Sequence, residues 1–209
     1  LVGISIITAL KSKYIDDVIL STDCKKIAKI GIKYGAEIPF LRPSSLAKDT
    51  SKSEDVILHA LDNIDNQYDY IVLLEPTSPF TTSSDVDEAI TELSKNSKNY
   101  DSIVSVSQVE ESHPDFCYKL GKNNTMISYS LKNKKSQPRR QDVTRLFFCD
   151  GSLYVSCAAS FKKYKSFFHK KTLGKIMPKW KSLEIDDYID YIHAEATMKN
   201  INKILSNEK

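Results

Sequence analysis

Apolar residues recur at Ile4, Ile7 and Leu10, a spacing that predicts a helix over residues 3–11. A short β-rich run, Val18-Ile19-Leu20, lies within 17–23 and ends in Ser21-Thr22-Asp23, the profile of a buried parallel strand whose carboxyl end meets solvent. Ile27, Ala28, Ile30 and Ile32 give the apolar positions of a second helix, stopped at Gly35. Residues 36–42 are extended and end at Pro43. Ser53 is placed to cap a third helix with Val56, Ile57, Ala60, Leu61 and Ile64 on one period.

The most continuous apolar run, Tyr70-Ile71-Val72-Leu73-Leu74, predicts a central strand. It breaks at Glu75-Pro76-Thr77-Ser78-Pro79, where two prolines forbid both helix and ladder. A fourth helix is expected from Ser84 or Asp85 to about Lys95, then a strand over 102–106. Helix and strand alternate with short connections, so the pattern predicts an α/β fold with a mostly parallel sheet covered by helices on both faces. From 110 to 144 polar residues dominate, turns are expected at Asn123-Asn124 and Asn133-Lys134-Lys135, and short β-like pieces are expected over 116–120 and 126–129. An excursion this long inside a compact domain is functional or interfacial. A strand over 151–155, a last short strand over 176–178, and a helix opened near Asp187 with Ile189, Ile192, Ala196 and Ile201 complete the pattern.

The chain of 209 residues fits one domain, and 41% hydrophobic with 27% charged residues is ordinary globular composition. Thirty basic against 27 acidic side chains leave a net charge of +3, which gives no bulk attraction to nucleic acid. The basic-aromatic stretch 162–171 reads either as a solvated surface segment or as an RNA contact, and charge runs mostly just face water. No apolar run approaches the roughly 18 residues of a membrane span. Cys24, Cys117, Cys149 and Cys157 lack CxxC spacing, so no zinc or redox pair is indicated, and scattered thiols suit a reducing, cytoplasmic compartment. The chain opens Leu1-Val2-Gly3 without methionine and is expected to be a fragment of a longer protein.

In an open α/β sheet ligands bind beyond the carboxyl ends of the strands. Three polar clusters fall there: Ser21-Thr22-Asp23, the double-proline turn, and residues 105–109. Asp23 reads as a helix N-cap or as a site residue. Glu75 reads as an acceptor for sugar hydroxyls or as a carboxylate paired with a lysine. Glu184 and Asp186 alternate, so in an extended stretch their carboxylates lie about 7 Å apart on one side. Such a pair can hold a hard cation such as Mg²⁺ together with waters and phosphate oxygens, or can simply open an acidic helix.

Several segments taken together resemble the acylneuraminate cytidylyltransferases. They are Ile15-Asp16-Asp17-Val18-Ile19-Leu20-Ser21-Thr22-Asp23, Leu41-Arg42-Pro43, Leu46-Ala47-Lys48-Asp49-Thr50, Leu73-Leu74-Glu75-Pro76-Thr77-Ser78-Pro79, His113-Pro114, Pro138-Arg139-Arg140-Gln141 and Asp150-Gly151-Ser152-Leu153-Tyr154. Their order and spacing match from about residue 1 to about 195. The resemblance implies a Rossmann-like fold, a homodimer, and Mg²⁺-dependent transfer of CMP from CTP to a nine-carbon 2-keto sugar acid with release of pyrophosphate. It implies that Arg42 and Ser53, with Asp23 nearby, contact the nucleotide. Glu75, Arg139 and Tyr154 fall where the family contacts the sugar, and Glu184 and Asp186 where it binds metal for catalysis. Residues 110–145 correspond to a dimerisation arm reaching the partner's site, within a single domain spanning 1–209.

Departures from that pattern bear on substrate identity. No counterpart of the family's Arg-x-Gly-Ser-Lys phosphate loop occurs. Thr81 stands where an arginine often follows the proline turn. Phe148-Cys149-Asp150 replaces an Arg-x-Asn approach to the glycine, so one sugar contact is expected to be lost and Asp150 to place negative charge near an anionic substrate. Two alternatives stand beside this reading. One is a related nucleotidyltransferase for another keto sugar acid; the other is an inactive nucleotide-sugar-binding subunit of a dimer.

Overall fold

The computed structural model describes residues 1–130 and 138–207. The turn expected at Asn133-Lys134-Lys135 lies outside the described residues. Helix α1 (Val2–Leu10) and helix α2 (Lys25–Tyr34) pack against each other, and Gly35 ends α2 in the left-handed region at φ 97°. Between them the expected strand over 17–23 is reduced to one parallel bridge, Ile19 to Glu37, closed by Leu20 N–H to Glu37 O at 3.0 Å and Glu37 N–H to Val18 O at 2.7 Å. The apolar face expected for α2 is also revised. Ala28 and Gly31 are its buried positions, whereas Ile27, Ile30 and Ile32 are exposed. Gly31 lies against the Leu20 side chain, so close approach selects small residues over large apolar ones.

Helix α3 (Ser53–Asp62) has Lys52 at its N-cap, so Ser53 is its first helical residue rather than its cap. Strand β1 (Tyr70–Leu73) runs into the proline turn, and helix α4 (Ser83–Lys95) follows it. A capping box starts α4: Thr82 accepts from the Asp85 N–H while the Asp85 carboxylate accepts from the Thr82 N–H. Strand β2 (Ser102–Gln108) precedes the polar excursion, whose two short strands β3 (Tyr118–Leu120) and β4 (Met126–Ser128) pair antiparallel with each other. Strand β5 (Phe147–Cys157), helix α5 (Ala158–Tyr164), strand β6 (Thr172–Ile176) and helices α6 (Tyr188–Lys199) and α7 (Ile201–Asn207) complete the order. No described helix is long and apolar enough to cross a membrane.

The main sheet has the order β1-β5-β2-β6. β5 pairs antiparallel with both β1 and β2, and β6 pairs parallel with β2, so β1, β2 and β6 run one way and β5 runs against them. The alternation predicted helices on both faces, and the side chains divide accordingly. Ile103, Leu153 and Val155 turn to α4, where Val86, Ala89, Ile90 and Leu93 meet them. The opposite pleat, with Val104, Ile71, Leu73 and Tyr154, meets Ile57, Leu58 and Leu61 of α3 and Phe161 of α5. The last strand is 172–176 rather than 176–178, and α5 and β6 both lie in or beside the stretch that reads as surface charge. On α6, Ala194 is buried while Ile189 and Ile192 are exposed, so the expected apolar face is not the packed one.

Candidate active site at the carboxyl ends of the strands

Because β5 runs against β1 and β2, its middle lies where their chains leave the sheet. Leu73 at the end of β1 is paired with Tyr154, and Val106 near the end of β2 is paired with Cys149. The proline turn leaves β1 at this rim, and its Thr77 carbonyl accepts from the Ile185 N–H at 2.9 Å, which brings the late acidic segment alongside. The Thr77 hydroxyl lies 3.5 Å from Glu184 Oε1. Gly151, at φ +73°, faces the same carboxylate: a Cβ there would sit 3.2 Å from Glu184 Oε1. Glu75, Tyr154, Glu184 and Asp186 therefore share one neighbourhood.

The electrostatics express that proximity. Burial pushes the Glu75 carboxyl above its ordinary range, and the charges of Glu184 and Asp186 push it further. Burial also raises Glu184, with Asp186 next in weight, while the Thr77 hydroxyl works in the opposite direction. The Tyr154 phenol is pushed up to about 12 by burial, then by Glu75 and other nearby negative groups. Among the described residues no ion pair joins Glu75, Glu184 or Asp186 to a cation. Nor, among the described residues, do three His, Cys, Asp or Glu side chains converge closely enough to form a complete ligand set. The donor set is thus one half-buried and one exposed carboxylate, all hard oxygens, with uncompensated negative charge around them. That chemistry fits a hard divalent cation that keeps most of its shell as water or phosphate oxygen.

The other sequence candidates occupy different places. Arg42 turns to the Ser21-Thr22 segment: its Nε donates to Ser21 Oγ at 3.1 Å, its guanidinium donates to the Ser21 carbonyl, and its own N–H donates to Thr22 O at 2.9 Å. This fixes Arg42 beside Asp23, which is exposed; the N-cap of α2 is Cys24, with no side-chain cap, so Asp23 does not cap that helix. Ser53 is exposed at the start of α3. Arg139 is exposed and bidentate to Asp142, at 2.8 and 3.1 Å. Among the described residues no hydrogen bond or ion pair joins Arg42 or Arg139 to the acidic cluster.

Asp150 departs from expectation. It is 2% exposed, so it does not present its charge to a substrate. Its Oδ1 accepts from Ser105 Oγ at 2.6 Å and from the Ser152 N–H at 3.1 Å, and its Oδ2 accepts from Ser107 Oγ at 2.7 Å. Ser105 and Ser107 share one face of β2, which turns both hydroxyls to the same carboxylate. Thr81 is likewise spent on structure, its hydroxyl donating to Ser152 O at 3.0 Å. Lys181 was not singled out by the sequence either. Its ammonium pairs with Asp85 at 2.5 Å with both side chains nearly buried, tying the start of the acidic segment to the α4 capping box.

Comparison with known proteins supplies the lineage of this arrangement. A family model described as cytidylyltransferase matches residues 1–143. The CMP-N,N'-diacetyllegionaminic acid synthase of Legionella pneumophila is 30% identical over 207 residues, covering 95% of this chain and 85% of that protein. The chain belongs to the cytidylyltransferase family. Within the family it is also 31% identical over 203 residues to the N-acylneuraminate cytidylyltransferase of Escherichia coli O18:K1:H7, spanning 97% of this chain and 47% of that longer protein. Among solved structures, 4-diphosphocytidyl-2C-methyl-D-erythritol synthase from Anaerococcus prevotii shares the cytidylyltransferase fold with a TM-score of 0.62 at 16% identity, over 95% of this chain and 85% of that one.

Proposed function

We propose that this cytidylyltransferase transfers CMP from CTP to a nine-carbon 2-keto sugar acid of the N-acylneuraminate or legionaminate type, releasing pyrophosphate. The observation that carries the reading is the meeting of Glu75, Tyr154, Glu184 and Asp186 at the carboxyl ends of β1 and β2, in a chain 30% identical to a protein named for such a transfer. The anomeric hydroxyl of the sugar attacks the α-phosphorus of CTP, one P–O bond forms as another breaks, and pyrophosphate departs. Reactions of this kind need positioning and charge neutralisation more than covalent help from the protein.

Each site residue has a part in that scheme. Arg42, fixed by Ser21, and Ser53 at the α3 start hold the nucleotide, with Asp23 at the same strand end. Glu75 accepts from sugar hydroxyls, and the aromatic face of Tyr154 lines the sugar site. Glu184 and Asp186 hold Mg²⁺, which when bound supplies positive charge against the triphosphate. Arg139, on the 110–145 arm, is suited by its planar fork to a sugar carboxylate. The arm carries it to the site of a partner copy; within its own protomer its only described ion pair is the local one to Asp142. The β3-β4 hairpin supports a homodimer of this kind: Leu120, Met126 and Tyr129 are 69%, 65% and 62% exposed, an apolar surface suited to burial against a second chain.

The metal assignment has a direct test. Asp186→Ala is expected to lower Mg²⁺-dependent pyrophosphate release from CTP by at least about 10²-fold, the upper end of what losing an outer-shell partner of a metal ligand costs, while leaving the oligomeric mass unchanged. Turnover at the wild-type rate at every Mg²⁺ concentration removes Asp186 from the site.

A further inference from the structure

β5 does not pair evenly with β2. Val104 is paired with Tyr154 and Val106 with Cys149, so residues 150–153 of β5 face Ser105 alone. This wide bulge makes the conformation of Gly151 possible, and a bulge at a site commonly re-aims side chains. Its interior is filled by polar groups instead of apolar ones. Ser105 bridges the two ends of the bulge, donating its hydroxyl to Asp150 Oδ1 at 2.6 Å and accepting from the Leu153 N–H at 2.9 Å. Asp150 Oδ1 also takes the Ser152 N–H, and Oδ2 is held by Ser107. Ser105, Ser107, Asp150 and Ser152 are each no more than 2% exposed. A buried network whose members all have partners is rigid, because breaking any contact strands a polar group.

The outer surface of that bulge carries Glu184. All three atoms of its carboxyl group lie 3.2–3.3 Å from the position a Cβ would occupy on Gly151. The bulge therefore seats the carboxylate from beneath, with the Thr77 hydroxyl beside it at 3.5 Å.

We propose that Asp150 is a positioning residue: its carboxylate, clamped by the Ser105 and Ser107 hydroxyls, fixes the 150–153 bulge in the shape on which Glu184 rests. This rests on the reading that Glu184 and Asp186 hold the cation of the cytidylyl transfer. Asp150 touches neither substrate in this account. Its shape and hydrogen-bonding pattern matter, and its charge does not.

That distinction sets the experiment. In Asp150→Asn the amide oxygen still accepts from Ser105 and from the Ser152 N–H, while the amide nitrogen donates to Ser107 Oγ, so the bulge persists. In Asp150→Ala every contact is lost. Mn²⁺ binding to the protein without nucleotide, read by electron paramagnetic resonance, should weaken about tenfold or more in Asp150→Ala and stay near wild type in Asp150→Asn. Gly151→Ala, which presses on Glu184 and strains a backbone held at φ +73°, should weaken Mn²⁺ binding as well. Ser107→Ala, a milder change that keeps the Ser105 bridge, covers the case in which Asp150→Ala does not fold, and should give a smaller loss in the same direction. In turnover, the Mg²⁺ needed for half-maximal rate should rise in Asp150→Ala and Gly151→Ala with little change in the KM for CTP. Wild-type Mn²⁺ affinity in folded Asp150→Ala, or in Ser107→Ala and Gly151→Ala together, overturns the proposal; so does an Asp150→Asn as impaired as the alanine variant, which would mean that the charge itself acts. Wild-type protein that binds Mn²⁺ but releases no pyrophosphate from CTP defeats the proposed function alone, and the binding comparison still decides the role of Asp150.

Discussion

Glu75 sits in a strained electrostatic position: burial disfavours its charge, and Glu184 and Asp186 add like charges from across the rim. A carboxyl whose proton affinity is higher in the fold than in the unfolded chain favours folding while it is protonated. That contribution is lost as pH rises from its ordinary value of 4.5 through the raised one. Glu75→Gln should therefore raise the urea midpoint at pH 7, a gain in unfolding free energy of at most about 1 kcal/mol after allowance for solvent screening. The gain should vanish toward pH 4. An unchanged or lower midpoint for the variant at pH 7 would show that Glu75 is not under that strain. The positions of Glu75, Glu184 and Asp186 were legible from a rigid turn after an apolar run and from alternation of two acids. The burial of Asp150 was not, because it depends on a bulge that places Ser105 and Ser107 around it, and periodicity along one strand carries no information about cross-strand register. For Arg42 the residue was legible but its anchor, Ser21, lies across a loop whose path only the fold supplies.

At the scale of elements, helices α3 and α4 and strands β1 and β2 follow from hydrophobic spacing and punctuation to within one or two residues, and α2 follows in its bounds but not in the face it packs. Strand direction does not, since an apolar run reads alike in either sense; hence β5, expected within a parallel order, runs against its neighbours. The same blindness hid β6, whose Thr172, Gly174 and Lys175 interrupt the apolar pattern beside a basic stretch. The connection from β6 to α6 carries the acidic pair, and Lys181 pins it. The Lys181 side chain is 12% exposed and that of Asp85 10%, and Asp85 also belongs to the capping box of α4. For Asp85 burial works against ionisation, but the hydrogen bonds from Lys181 and Thr82 outweigh it and hold the carboxyl below its ordinary value. The stability it contributes is thus present above pH 3.8 and lost as pH falls through the depressed value. Lys181→Met should cost up to about 3–5 kcal/mol in urea unfolding at pH 7, because Asp85 is left buried without its counter-charge and held only by Thr82. The deficit should shrink below the ordinary Asp85 value; a loss under about 0.5 kcal/mol would place the pair among the weak surface bridges.

Over the whole molecule, helices covering both faces of the sheet leave its rim as the place where polar side chains gather without interrupting the core. Strands β1, β2 and β6 end at that rim, and the antiparallel β5 crosses it with Asp150, Gly151 and Tyr154. Among the described residues no hydrogen bond or ion pair joins Arg42 or Arg139 to the acidic cluster, and Arg42 is assigned to the nucleotide and Arg139 to the site of the proposed partner copy. What unites these parts is one reaction, and pyrophosphate release observes it directly. With the native full-length protein, Mg²⁺ and a panel of nine-carbon 2-keto sugar acids, release from CTP should depend on both the sugar and the metal and should yield the CMP-sugar in equal amount. Release from another nucleoside triphosphate but not from CTP, or none with any sugar of the panel, would contradict the account.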